Sequence, residues 1–180
     1  MRIVGGRYKG RRITPPKGID ARPTTDYAKE GLFNILQHSV ALDGIRVLDL
    51  FAGTGNISAE FVSRGAEQVT SVEMDRKLIA GIQRLVGTFQ EPGWNVVNAD
   101  AFQFLRMHRA SYDIIFADPP FHMEGIERIP TLVLAQGLLE PDGLLIVEHS
   151  EKVDLQAIAG FTESRAYGAV HFSFFGSPRT

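Results

Sequence analysis

The sequence predicts an α/β fold: a doubly wound, mostly parallel sheet of seven strands with a short basic N-terminal β-hairpin extension. Three observations carry that prediction. Short β-branched apolar runs alternate with helix-length amphipathic segments from residue 45 to residue 148. The first of those runs ends in Asp49-Leu50-Phe51-Ala52-Gly53-Thr54-Gly55, a glycine turn that opens a helix. Acidic residues stand where successive strands should end, and in a doubly wound sheet ligands gather at the C-terminal strand ends.

Residues 1–18 alternate short β-like pieces with glycines, in Arg2-Ile3-Val4, Gly5-Gly6 and Gly10-Arg11-Arg12-Ile13, and predict a basic hairpin or extended arm. Pro15-Pro16 and Gly18 separate it from Arg22-Pro23-Thr24-Thr25, which leads into a helix capped by Thr24 or Thr25. Ala28, Leu32, Ile35 and Leu36 share one face of that helix. Asp43-Gly44 is a turn, Ile45-Arg46-Val47-Leu48 a buried strand, and Asn56 to Val62 a helix. Gln68 to Glu73 is the second strand, and a helix of about residues 75–88 follows with Leu78, Ile82, Leu85 and Val86 inward. Trp94 to Asn98 is the third strand, Ala101 to Met107 a short helix, and Tyr112 to Ala117 a strongly apolar fourth strand. A helix near residues 125–137 crosses to a fifth strand at Gly143 to Glu148. The alternation around Tyr167-Gly168-Ala169-Val170-His171-Phe172 suits a terminal antiparallel hairpin. Residues 1–40 form a basic arm with a leading helix, and residues 41–180 the ligand-binding domain, in one unit.

Composition narrows the chemistry. The 180 residues contain no cysteine, which excludes disulfides, thiolate metal sites and cysteine nucleophiles, including a thiol that adds to a pyrimidine before C5 methylation. No stretch resembles a signal peptide or a membrane span, so a cytoplasmic protein is expected. The five histidines, His38, His108, His122, His149 and His171, lack ligand spacing, and no metal is expected. The net charge of −2 hides an asymmetry: residues 1–30 carry eight Lys/Arg against three acids, while the rest carries eleven against eighteen. A basic segment on an acidic body suggests a polyanion held at one place, against the plainer reading of a solvated arm.

The glycine turn admits two ligands. A dinucleotide would set its pyrophosphate on the helix N-terminus, but Asp49 would repel it and Ser58 occupies the third glycine position. The same carboxylate suits the ammonium and sulfonium of S-adenosylmethionine. Phe51, Ala52 and Thr54 complete the turn with Gly53 and Gly55. Glu73, followed by Met74, is placed to accept from ribose hydroxyls. Asp100 is placed to accept from an adenine amine with Ala101 beside the ring, or to cap the next helix. Asp118-Pro119-Pro120-Phe121 follows the buried fourth strand. Its two prolines fix the backbone and donate no N–H, so the Asp118 carboxylate and the Pro119 carbonyl both face an outside donor while Phe121 offers a flat face. That set suits a nucleobase bearing an exocyclic amine.

Together these motifs resemble those of class I S-adenosylmethionine-dependent methyltransferases. Arg2-Ile3-Val4-Gly5-Gly6, Gly10-Arg11-Arg12 and Arg22-Pro23-Thr24-Thr25-Asp26, with Glu30, narrow the resemblance to bacterial 16S ribosomal RNA guanine-N2 methyltransferases of the RsmD type. The resemblance covers nearly the whole chain. It implies methyl transfer from S-adenosylmethionine to the N2 amine of a guanine in 16S ribosomal RNA or the small subunit, by a monomer. Asp49, Gly53 and Gly55 would flank the methionine moiety, Glu73 would bind the ribose, Asp100 the adenine, and Asp118 to Phe121 the guanine. Arg2, Arg7, Lys9, Arg11, Arg12, Arg22 and Thr24 would meet RNA, and the Arg22-Pro23-Thr24 turn would also close over the cofactor. Two other readings compete: an adenine-N6 methyltransferase on DNA or RNA, since adenine also presents an exocyclic amine, and a non-catalytic RNA-binding assembly factor.

Overall fold

The computed structural model describes residues 1–19 and 24–176. Helix α1 (Asp26–Ser39) leads into the alternating strands and helices β1 (Arg46–Asp49), α2 (Asn56–Ser63), β2 (Gln68–Glu73), α3 (Arg76–Phe89), β3 (Trp94–Asn98), α4 (Ala101–Met107), β4 (Tyr112–Ala117), α5 (Arg128–Ala135) and β5 (Leu139–Ser150). Strands β6 (Phe161–Tyr167) and β7 (Val170–Gly176) close the chain. All seven strands form one sheet of order β3-β2-β1-β4-β5-β7-β6. β1 to β5 run parallel, and β7 pairs antiparallel with both β5 and β6. The chain winds outward from β1 to β3, then returns to β4 on the other side of β1. That reversal opens a crevice at the C-terminal ends of β1 and β4, where the glycine turn and Asp118 emerge.

Strand alternation splits the core into two layers. Val47, Ile114, Phe116 and Ile146 face α1, α2 and α3, while Leu48, Ile115, Ala117, Leu145 and Val147 face α4 and α5. Thr25 caps α1 by accepting from the Ala28 N–H, and Phe33 joins the expected apolar face. In α3 the deepest positions are Ile79, Ile82 and Phe89, with Leu78, Leu85 and Val86 only half-buried. Helix α5 is shorter than the 125–137 expectation. Pro130 lacks an N–H and is tolerated only in a first turn, which holds the start near Arg128, and left-handed Gly137 ends the helix. β5 begins earlier than expected, because Leu139 already pairs with Tyr112 before an irregular step to the Leu144–Ile114 pair.

The arm pairs its two ends antiparallel: Arg2 and Arg12 form a bridge, the Ile3 and Ile13 N–H groups donate to the Arg11 and Met1 carbonyls, and the Gly10 N–H donates to the Ile3 carbonyl. The pairing stops short of regular strands because other backbone donors go to α2. The Val4 and Gly5 N–H groups donate to the Glu60 carboxylate at 3.0 and 2.8 Å, and the Tyr8 N–H donates to Ser63 Oγ. Ile3 and Ile13 are buried in the core layer beneath. The arm is therefore a bridged loop fastened to α2.

Lys29 is the fastening point on α1. It is fully buried, and its Nζ donates to the Arg2 carbonyl and to Asn56 Oδ1 and lies 3.5 Å from Glu60 Oε2. Glu60 also meets Arg64 at 3.0 Å. Burial pushes the Lys29 ammonium below its ordinary pKa while the Glu60 charge opposes the drop. Lys29→Met should therefore cost about 3 kcal/mol of unfolding free energy by urea titration, since it strips a buried partner from Glu60 and orphans two acceptors. It should also make residues 1–13 more sensitive to limited proteolysis.

Candidate active site

Asp49 ends β1 with only 1% of its surface exposed. Its Oδ2 accepts from Ser58 Oγ at 2.6 Å, and Ser58 in turn bonds Ser71 Oγ on β2. Its Oδ1 has no partner. Burial, with Glu73 adding repulsion, pushes the Asp49 carboxyl up to about 7 against the hydrogen bond from Ser58. The turn that follows needs glycine twice: Gly53 and Gly55 sit at φ 55° and 78°. A Cβ on Gly53 would meet only the Phe51 carbonyl, at 3.9 Å, so the backbone lies open to a ligand. On the far side of the turn, Asn56 gives its Oδ1 to Lys29 and keeps a buried, unpaired Nδ2. An orphan acceptor before the turn and an orphan donor after it match in kind the ammonium and carboxylate of S-adenosylmethionine's amino-acid end. The residues present thus fit that group.

Glu73 has a task the sequence did not reveal. Its Oε2 accepts from the Gly53 N–H at 2.9 Å, and its Oε1 from the Met74 and Asp75 N–H groups, so it pins the glycine turn to the end of β2. An ionised carboxylate retains lone-pair capacity beyond those three bonds. Met74 is 68% exposed beside it. Asp100 caps α4 by accepting from the Gln103 N–H, and Ala101 is buried in the α4 layer. The buried Thr54 hydroxyl donates to Met1 Sδ and faces the arm, so only its backbone is turned to the ligand side. Ala52 is buried and Phe51 packs against the α4–α5 layer, which leaves the turn's backbone as the surface offered to a ligand.

Asp118 leaves β4 two residues beyond Phe116, which pairs with Asp49 on β1. Its carboxyl lies well above the usual carboxylate range, mainly through burial and then through the charges of Glu148 and Asp49. Pro119 is buried and Pro120 exposed. The Phe121 ring is 65% exposed, with His122 edge-on at 5.1 Å. A large aromatic ring left uncovered at the mouth of a crevice is a stacking platform for a planar ligand. Glu148 on β5, which sequence reasoning passed over as an ordinary strand residue, is buried beside this site and is pushed up to about 7 by burial. Thr24 donates to it at 2.7 Å. Thr24 is itself buried, so the structure moves it from the expected RNA surface to the strand-end cluster.

The basic residues divide. Arg2 lies 3.5 Å from Asp26 and 3.9 Å from Glu30, and Arg7 lies 2.7 Å from Glu91. Arg11 stacks over the Tyr8 and Phe89 rings, and Arg11 and Arg12 line an open groove of about 460 Å³ with Thr14, Thr88 and Arg84. Arg84, inside a helix with no pattern to mark it, was missed from sequence. Lys9 is exposed. Arg22 lies outside the described residues. No helix among the described residues is long and apolar enough to cross a membrane, and they contain no group of three metal-ligating side chains.

The family described as Conserved hypothetical protein 95 matches residues 1–176. Ribosomal RNA small subunit methyltransferase D of Escherichia coli (strain K12) is 36% identical over 148 residues, covering 82% of this chain and 74% of the relative. Among solved structures, yhhF of Escherichia coli has a TM-score of 0.86 at 31% identity, covering 100% of this chain and 99% of that one. A Thermus thermophilus 16S rRNA N2 methyltransferase, RsmC, solved with AdoMet and guanosine, shares the fold with a TM-score of 0.71 at 21% identity, over 88% of this chain and 45% of that one.

Proposed function

The chain belongs to the Conserved hypothetical protein 95 family, the RsmD-type ribosomal RNA methyltransferases, and from that premise we propose that it methylates the N2 amine of a guanine in 16S ribosomal RNA. The choice of guanine rests on the family, and the observation that supports an exocyclic amine as the methyl acceptor is the Asp118-Pro119-Pro120-Phe121 edge. There a half-buried carboxylate stands beside an uncovered aromatic ring at the switch point of the sheet. S-adenosylmethionine, the family's cofactor, supplies an electrophilic methyl on a positively charged sulfur. Asp49 and the backbone of Gly53 and Gly55 would hold its methionine end, Glu73 and Met74 its ribose side, and Asp100 and Ala101 its adenine.

Phe121 stacks on the guanine ring and excludes water from one face. Asp118 and the Pro119 carbonyl accept the two N2 hydrogens and hold them out of the ring plane. That weakens delocalisation of the nitrogen lone pair into the ring and aims it at the incoming methyl carbon. With the cofactor bound, the amine nitrogen would form the N–C bond to the methyl carbon as the C–S bond breaks and sulfur keeps that electron pair, and Asp118 stands ready for the proton the nitrogen would then shed. Alignment supplies much of the acceleration, because an aniline-like amine is a poor nucleophile in any random encounter. The arm and leading helix, residues 1–40, face the RNA, and residues 41–180 hold the cofactor. The protein acts as a monomer in the cytoplasm, without a metal.

The deciding test combines purified protein, methyl-labelled S-adenosylmethionine and unmodified small ribosomal subunits, with duplex DNA alongside, and identifies the labelled nucleoside after digestion. Label in N2-methylguanosine is the expected outcome. Label in N6-methyladenine would overturn the target. A second expectation concerns the groove. Replacing Arg11, Arg12 and Arg84 with Ala should weaken RNA binding and flatten the slope of log affinity against log salt by about one per lost phosphate contact. An unchanged slope would mean the groove is only solvated.

A further inference from the structure

Glu148 has no part in the reading above, yet it is a buried acid that stands beside Asp118. Ala117 of β4 pairs with Val147 of β5, so the next residues, Asp118 and Glu148, are neighbours across adjacent parallel strands. Such strands lie about 4.8 Å apart. Both residues follow the alternation of Phe116 and Ile146, whose side chains enter the α1–α3 layer, so both carboxylates leave the same face of the sheet. Glu148 Oε2 accepts the Thr24 hydroxyl at 2.7 Å, and among the described residues no cation lies within salt-bridge distance of Glu148. A second carboxylate with a free oxygen therefore borders the place assigned to the exocyclic amine. The exposed Phe121 ring independently marks that place as the seat of a flat ligand.

Resting on the guanine-N2 reading, we propose that Glu148 is a specificity-determining residue that accepts the N1–H of the target guanine. The argument follows from the base edges. Guanine presents donors at both N2 and N1, while adenine and 2-aminopurine place a lone pair at N1 beside the amine. With Asp118 and the Pro119 carbonyl on the amine hydrogens, the adjacent ring position falls to Glu148. A carboxylate there attracts an N1–H and repels an N1 lone pair. Thr24 fixes which oxygen is left for the base, since its hydroxyl occupies the other. Two acceptors in a row thus read guanine against any purine whose N1 is unprotonated. At pH 8, above the value of about 7 to which burial raises Glu148, the acceptor is ionised.

The test uses full-length protein at pH 8 and small-subunit RNA carrying either guanine or 2-aminopurine at the mapped target. Both bases offer the same N2 amine. Wild type should favour guanine in kcat/KM by about 10²-fold or more. In Glu148→Gln the amide oxygen takes the Thr24 hydroxyl and the NH2 faces N1, so the preference should collapse to within about threefold or invert, with S-adenosylmethionine affinity by calorimetry unchanged. The inference is overturned if wild type methylates 2-aminopurine as fast as guanine, which needs no variant. It is also overturned if Glu148→Gln slows both substrates equally and keeps the preference. If wild type places no label on N2 of guanine, the functional reading itself has failed, which is a different result from either.

Discussion

Asp118→Ala is expected to lower kcat by about 10³-fold while the affinity for S-adenosylmethionine stays within about threefold. The split follows from placement. Asp118 stands at the end of β4, on the Phe121 side of the crevice, whereas the orphan Asp49 Oδ1 and the open Gly53 backbone belong to the β1 turn. Without the carboxylate, the target amine keeps its lone pair in the ring and loses the acceptor that orients it. The substitution also removes a half-buried acid against which Glu148 and Asp49 press, so folding stability should not fall. Asp118→Asn keeps one acceptor oxygen and should recover part of the lost rate. Single-turnover kinetics with saturating cofactor, beside calorimetric titration of the cofactor alone, separates the two quantities. A variant whose cofactor affinity fell as far as its rate would show that Asp118 serves the cofactor and not the base.

What the sequence made legible is what local periodicity encodes. β2, β3, β4 and α4 fall within the expected bounds because each is an apolar run closed by a turn residue or a capping aspartate. The strand-end acids Asp49, Glu73, Asp100 and Asp118 were visible for the same reason, since a residue at the end of a recognisable strand can be placed before any packing is known. Lys29 and Glu60 were not visible. In a helical pattern a charged residue reads as solvated, and only the meeting of α1, α2 and the arm buries this pair. Glu148 was hidden differently. It borders Asp118 because β5 lies beside β4, and a side chain thirty positions away gives no local sign of that. Thr24 reaches Glu148 across 124 positions for the same reason. The arm was legible in part. Its β-like pieces do pair, through the Ile3, Gly10 and Ile13 N–H groups, but Val4 and Gly5 donate to Glu60 on α2, contacts at least 55 positions away that no local pattern shows.

Asp49→Asn should raise the stability of the free protein while weakening S-adenosylmethionine binding by about 10²-fold, a charge-assisted contact being lost. A carboxyl held at about 7 in the fold, against 3.8 for an exposed aspartate, costs the folded state about 4 kcal/mol once it is ionised. The sign is fixed by proton uptake. Between the two pKa values the folded protein binds more protons at this site than the unfolded chain, so stability falls as pH rises from about 4 to about 7 and then levels. Asparagine removes that dependence. It keeps an acceptor for the Ser58 hydroxyl but buries an amide N–H where Oδ1 was unpaired, so the expected recovery is smaller, about 1–3 kcal/mol at pH 8 and little at pH 5. Cofactor affinity in wild type should rise with pH through about 7, because a cationic ligand pulls the bound carboxyl below its free value and releases a proton. That slope should vanish in Asp49→Asn. Thermal unfolding at both pH values, with calorimetry in buffers of different ionisation enthalpy, reads all three effects. A variant destabilised at pH 8 would make Asp49 a structural anchor. Stabilisation with lost binding identifies a charge that the fold tolerates at a cost because the cofactor requires it.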